Sequence, residues 1–181
     1  MIVVSNNLQK YMELPKDAVI RINMAWVNTV EELETILKDN VAEGKDIFLD
    51  YPQGRTKPPT PVIAMETAYD LCAKWKNIKY FAVSNIEKVS IVKDIQAKLP
   101  SNVQFVPKIE TKMGIKRLGE IIYDCGIKML MLDKEDLYLN VKKDNDEFFK
   151  CVQHVRDVCS GLNVAVLELE GVIFTENKGA A

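Results

Sequence analysis

Two short stretches hold the residue types best suited to chemistry. Val106-Pro107-Lys108-Ile109-Glu110-Thr111 and Asp133-Lys134-Glu135-Asp136-Leu137 each end an apolar run, and each precedes a predicted helix. Glu110 and Asp136 are one strand–helix–strand unit apart, so neighbouring parallel strands would set their carboxylates side by side at a barrel mouth. Two hard oxygen ligands, completed by water and substrate oxygens, suit Mg²⁺ or Mn²⁺. Lys108 shares the face of Glu110 on an extended strand. Beside a metal it would stabilise an enolate or a transferring phosphoryl group. Arg21 would hold a carboxylate or phosphate. The same residues also have a plain structural use. Acids at strand ends cap the helices that follow, and Lys108 can pair with Glu110 or Asp136 as a salt bridge.

The elements that would carry these residues follow from periodicity. Residues 1–5 form a short first strand, and Ala18 to Asn23 a second with Arg21 and Asn23 on one face. Thr29-Val-Glu-Glu32 is a capping box. It opens a helix with Val30, Leu33, Ile36, Leu37 and Val41 at helical spacing, which Gly44 ends. Asp46 to Asp50 is a strand ending in an acid. The prolines at 52, 58, 59 and 61 make residues 51–64 a long loop holding Arg55 and Lys57, and loops of this length in compact domains are usually functional. Met65 to Trp75 reads as a helix and Lys79 to Ser84 as a strand. Ser84-Asn-Ile-Glu87 is a second capping box, opening a helix that Pro100 stops. Val103 to Ile109 is a strand, Thr111 to Cys125 a helix, Lys128 to Leu132 a strand, Asp144 to Ser160 a helix closed by Gly161, and Asn163 to Leu169 the last clear strand. Gly171 to Phe174 extends it or begins a closing element, and the tail after residue 174 is expected to fray.

Apolar strands alternating with helices predict a parallel sheet covered by helices. Arg21, Asn23, Asp50, Lys108, Glu110, Asp136 and Glu168 all fall at or near strand carboxyl ends. That favours a (β/α) TIM-type barrel, incomplete or trimmed, as one α/β domain over residues 1–174. No GxGxxG or GxxxxGK[ST] phosphate cradle is present.

The totals agree with one globular domain: 181 residues, 48% hydrophobic, 28% charged. The net charge of -2 argues against a nucleic-acid surface. Cys72, Cys125, Cys151 and Cys159 show no CxxC spacing and read as buried thiols of a reducing compartment. The N-terminus lacks a signal-peptide pattern, and no apolar run approaches the roughly 20 residues of a membrane span, so a cytoplasmic location is expected. His154 is the only histidine, which removes histidine triads and histidine-rich zinc sites. Trp26 is expected to pack in the core, with flooring the pocket or packing under the long loop as the alternatives.

Beyond these patterns, VPKIETKMGIKRLGEII…IKMLMLDKEDL resembles the pyruvate kinase barrel segment, where a KIE strand is followed by a helix and a strand ending in an RGDL-type motif. VIRIN, FLDYPQGRT, KYFAVSNIEKVSIVKDI and NVAVLELEGVIF resemble further segments of that family in the same order, so the likeness runs over residues 18–174. The resemblance implies roles. Arg21 would contact a phosphoryl group, Asn23 and Asp50 would belong to a monovalent-cation site, Arg55 would be a second phosphate-side arginine, Lys108 would be the catalytic lysine, and Glu110 and Asp136 would hold the divalent metal. The departures are specific. Ala25 and Trp26 stand where the family has Ser and His, so the monovalent-cation site lacks a ligand. Glu135 replaces a glycine, and Glu168 a threonine that would face substrate. The loop at 51–64 stands in for a nucleotide lid domain, and no eighth strand is evident.

A second likeness is to the HpcH/HpaI aldolase and citrate lyase β-subunit group, which also sets Glu and Asp on successive barrel strands with an Arg nearby. The Glu110–Asp136 spacing suits it, whereas Lys108 and LDYPQGRT resemble pyruvate kinase more. Two classes of function therefore stand. One is a metal-dependent enzyme acting on a small anionic metabolite, a 2-oxo acid or phosphorylated acid, as a transferase or carbon–carbon lyase. The other is a catalytically degenerate barrel that serves as a binding or partner subunit. An open barrel edge would need cover from a homo-oligomer partner or from the C-terminal segment.

Overall fold

Each strand divides its residues between two faces, and the two faces have different neighbours. A computed structural model describes residues 1–9, 11, 13–54 and 59–168. The strands are β1 (Val3–Ser5), β2 (Val19–Asn23), β3 (Ile47–Tyr51), β4 (Ile78–Val83), β5 (Gln104–Ile109), β6 (Met129–Leu132) and β7 (Ala165–Glu168). All pair in parallel, and their order in the sheet is their order in the chain. The helices are α1 (Val30–Ala42), α2 (Met65–Lys74), α3 (Val89–Lys98), α4 (Lys112–Lys116), α5 (Leu118–Cys125), α6 (Lys134–Asn140) and α7 (Asn145–Gly161). This is the expected α/β architecture, an incomplete TIM-type barrel. Among the described residues β1 and β7 each have one strand neighbour and do not pair with each other.

The outward residues Ile20, Ile22, Ile47, Leu49, Phe81, Val83, Ile109, Leu130 and Leu132 join the helices in one large buried cluster. The inward residues Val19, Phe48, Ala82 and Val106 form a second, smaller one, against which Val3, Tyr80, Met129, Met131 and Leu167 pack. Because side chains alternate, the residue two positions beyond each inward apolar residue also points inward, one layer nearer the carboxyl ends of the strands. That rule carries Val19 to Arg21, Phe48 to Asp50, Ala82 to Ser84, Val106 to Lys108 and Met131 to Asp133.

Most boundaries fall within a residue or two of the pattern. Thr29 caps α1, its hydroxyl accepting from the Glu32 N–H at 3.1 Å, and Gly44 turns the chain beyond α1 at φ +68°. Four expectations do not hold. Ser84-Asn-Ile-Glu87 caps no helix: α3 starts at Val89 behind Lys88, which makes no side-chain cap bond. The helix expected over 111–125 breaks at Arg117 into α4 and α5. Gly161 is the last residue of α7, and the chain reverses at Asn163 with φ +55°. Trp26 lies in a short 3₁₀ turn, Met24–Trp26, and is 61% exposed, not packed in the core.

Among the described residues no helix is long and apolar enough to cross a membrane. The cysteines are free, three of them buried. Burial pushes the Cys72 thiol up to about 12 and Cys159 up to about 11, so neither is a thiolate at neutral pH. Arg55, the expected strand residue Leu169, Gly171–Phe174 and the tail lie outside the described residues.

Candidate functional site

A cleft of about 570 Å³ opens at the carboxyl ends of the strands. Its lining includes Arg21, Asn23, Ser84, Asn85, Lys108, Glu110, Asp133 and Asp136. Parallel β/α units bring these residues together because each strand stops at the same rim before turning into a loop.

The inner wall is a buried ionic ladder across four strands. Asp50 is fully buried on β3. It accepts from Arg21 Nε at 2.9 Å, and Arg21 Nη2 pairs with the same oxygen. Lys108 Nζ lies 3.5 Å from Asp50 Oδ1 and 3.1 Å from Glu110 Oε1, and it donates to Ser84 Oγ at 3.0 Å. Burial favours the neutral amine of Lys108, but Asp50 and Glu110 outweigh it and hold its pKa above the ordinary lysine value. It is therefore an ammonium at neutral pH, a fixed cation and not a base. Burial pushes the Glu110 carboxyl up, against the pull of Lys108 and of the Asn85 N–H, and Asp133 adds to the rise.

Glu110 is held from two sides, by a hydrogen bond on one oxygen and by the Lys108 ammonium on the other. Its Oε2 accepts from the Asn85 backbone N–H at 2.9 Å. Its Oε1 is buried and makes no hydrogen bond among the described residues, as is true of Asp50 Oδ1. A buried carboxylate oxygen without a donor is costly unless a cation faces it, and for both oxygens that cation is Lys108 Nζ. One oxygen from each of Glu110, Asp133 and Asp136 lies within 4.8 Å of the others. Three hard carboxylate oxygens this close together fit a divalent cation of the Mg²⁺ or Mn²⁺ type.

The expected site residues fall into three groups. Arg21, Asn23, Lys108, Glu110 and Asp136 line the cleft. Asp50 stands behind it as the anchor of Arg21 and Lys108. Asn23 is committed locally, its side-chain oxygen accepting from the Ala25 N–H at 3.0 Å. Glu168 is not among the lining residues. Its neighbour Leu167 packs on the inner face, which turns Glu168 to the helix side, where Lys134 (2.8 Å) and Arg156 (2.7 Å) grip it. Arg156 first, and Lys134 with it, lower its pKa to about 2.

Two groups are additions to the sequence reading. Asp133 joins the carboxylates, and the Met129, Met131, Asp133 alternation is the signal that marks it. Its Oδ1 also accepts from the Asp136 N–H at 3.3 Å, at the start of α6. The second is Ser84-Asn85-Ile86-Glu87, which clasps the KIET segment. Ser84 accepts from Lys108, Asn85 N–H donates to Glu110, Ile86 N–H donates to the Lys108 carbonyl at 3.2 Å, and Thr111 Oγ1 donates to Glu87 at 2.7 Å. Gly114 allows this approach, since a Cβ there would stand 2.6 Å from the Ile86 carbonyl oxygen.

No family model matches the sequence, and no curated protein matches it. Solved structures do. The chain superposes on an HpcH/HpaI aldolase from Desulfitobacterium hafniense with a TM-score of 0.67 at 9% identity, covering 95% of this chain and 78% of that one. An HpcH/HpaI aldolase/citrate lyase family protein from Burkholderia cenocepacia gives 0.65 at 13% identity, covering 83% and 70%. CitE from Mycobacterium tuberculosis, in complex with magnesium, acetoacetate and coenzyme A, gives 0.60 at 12% identity, covering 92% and 63%. The chain shares the fold of these proteins. Two of these three structures are named as members of the HpcH/HpaI aldolase group, the second of the two resemblances in the sequence; none of the three is a pyruvate kinase.

Proposed function

We propose that the cleft is the active site of a divalent-metal-dependent enzyme of aldolase or lyase type, acting on a small 2-oxo acid or a related anion. The observation that carries this reading is the convergence of Glu110, Asp133 and Asp136, one oxygen of each within 4.8 Å of the others, in the lining of the cleft. The fold shared with HpcH/HpaI aldolases, and with a CitE crystallised with magnesium and acetoacetate, supports it.

The metal is Mg²⁺ or Mn²⁺, held by Glu110 and Asp136 with Asp133. Such an ion supplies a Lewis acid for a carbonyl oxygen. The chain's own residues do the rest. Arg21, fixed by Asp50, binds the substrate carboxylate from the opposite side of the cleft. Lys108, held as an ammonium, provides positive potential where negative charge develops on substrate oxygen. Ser84 accepts from Lys108, so its own proton is free to be donated to the bound anion. Arg55, four residues beyond β3 in the chain, is proposed as a second anion-side arginine.

A second reading has a specific observation behind it. Glu135 lines the cleft along with the three clustered acids, and a further negative charge opposes an anionic substrate. In that reading the barrel binds a cation or a partner without turnover.

Calorimetric titration with Mg²⁺ or Mn²⁺, with and without pyruvate or oxalate, tests the proposal. Cation binding is expected, tightened by the oxo acid and lost in Glu110→Gln and Asp136→Asn. No heat at millimolar metal, or binding unaltered in both variants, would falsify it. Metal binding without any effect of the oxo acids would favour the second reading.

A further inference from the structure

We propose that Asn85 is a positioning residue for Glu110, acting through a left-handed backbone that aims its N–H at one carboxylate oxygen and so fixes the carboxylate beside Asp133 and Asp136. This rests on the metal-dependent reading above.

Asn85 directly follows the end of β4 and Ser84, with φ +57°. Of the described non-glycine residues with positive φ, it is the one that lines the cleft. In that conformation its N–H meets Glu110 Oε2 at 2.9 Å. Its side chain does something else: Nδ2 donates to the Gln53 carbonyl at 2.8 Å, in the turn that follows β3. Gly54 beside it is also left-handed, and a Cβ there would sit 3.4 Å from Asn85 Nδ2. Two strand ends are thus tied together at Asn85. The position makes two demands that few residues meet. Glycine tolerates the backbone but brings no tether, and most side chains that could tether are strained at positive φ. Asparagine accepts the left-handed region and keeps an amide donor.

The consequence lies in how Glu110 shares its oxygens. Lys108 Nζ stands 3.1 Å from Oε1. With Oε2 fixed by the Asn85 N–H and Oε1 facing the ammonium, the carboxylate is held in one orientation beside Asp133 and Asp136 and cannot swing both oxygens onto Lys108. If residue 85 relaxed to an extended conformation, the N–H would leave Oε2, and the carboxylate would close onto Lys108. Cation affinity at the Glu110, Asp133 and Asp136 cluster would then fall, with no metal ligand altered.

The test is Mn²⁺ titration by calorimetry on wild type, Asn85→Gly and Asn85→Val, with thermal midpoints recorded in chelator. Gly retains both the left-handed backbone and the N–H, so its affinity is expected to stay within about threefold of wild type even where its midpoint drops. Val disfavours the left-handed region and is expected to weaken Mn²⁺ by about tenfold. If Val does not fold, Asn85→Ala gives the same comparison at a smaller penalty. Wild-type affinity in the Val or Ala variant, with only the midpoint lowered, overturns the positioning role, and so does a Gly variant as weak as Val. No Mn²⁺ binding by wild type overturns the metal reading itself, a result distinct from the other two.

Discussion

Removing the charge of Lys108 should destabilise the protein more than any other single change in the cleft. The ammonium is 4% exposed, between a fully buried Asp50 and a Glu110 at 2%. At 3.5 and 3.1 Å, and with an effective dielectric near 20, its attraction to each carboxylate is about 5 kcal/mol before desolvation. Burying the ammonium offsets several kcal/mol of that. Lys108→Met keeps the volume and removes the charge, leaving two buried carboxylates short of a counter-ion, which typically costs about 3–5 kcal/mol. The lower end applies, because Asp50 keeps Arg21 and Glu110 keeps the Asn85 N–H. For a chain of this size a loss of about 3 kcal/mol lowers the melting midpoint by roughly 6–12 °C. The assay is denaturant and thermal unfolding in chelator, extended to Glu110→Gln and to the double variant Lys108→Met/Glu110→Gln. Once Lys108→Met is in place, neutralising Glu110 removes a stranded charge, so the double variant should be more stable than additivity predicts, by about 1 kcal/mol or more. A strictly additive double variant, or a single-variant loss under about 1 kcal/mol, would refute the ionic ladder as drawn.

Two further outcomes are expected away from the carboxylate cluster. Glu168→Gln should cost about 1 kcal/mol at neutral pH, discounted because Lys134 and Arg156 are partly solvated. Since the folded pKa of Glu168 is lowered to about 2, that contribution is present above the ordinary carboxyl value and lost as pH falls through about 2; acid titration of the stability difference checks the sign. Gly114→Ala drives a Cβ to 2.6 Å from the Ile86 carbonyl oxygen and should destabilise by about 1–3 kcal/mol through forced backbone movement, measured by urea unfolding.

The open edges of the sheet give the fold a requirement of its own. The outer edges of β1 and β7, which pair with no further strand among the described residues, leave backbone donors and acceptors outside the sheet's ladder. We propose that a homo-oligomer contact or the C-terminal segment covers them, and sedimentation of the full chain distinguishes the two. The solved structures of like fold are longer, this chain covering 78% of the Desulfitobacterium aldolase and 63% of CitE.

Much of this protein was determined by the sequence alone, because the forces involved act between near neighbours in the chain. Short apolar runs placed the strands to within a residue or two, and the 3.6-residue stripes and the Thr29 cap placed the helices around them. Side-chain alternation puts Arg21, Asp50 and Lys108 on one face, and, continued through Met129 and Met131, it also points to Asp133. Only the tertiary structure decided which partner each polar group takes. Ser84-Asn-Ile-Glu87 has the spacing of a helix cap, but Lys108, Glu110 and Thr111 come within reach across the strand pair, and their bonds displace the cap. Glu168 carries the right charge for the mouth, but lies one residue out of phase and turns to Arg156. Trp26 is apolar enough for the core, yet the 3₁₀ turn that buries Met24 and Ala25 leaves it in solvent. A polar side chain has several acceptable partners of similar energy. The choice falls to whichever the packed strands bring within about 3 Å, and that distance spans residues far apart in the chain.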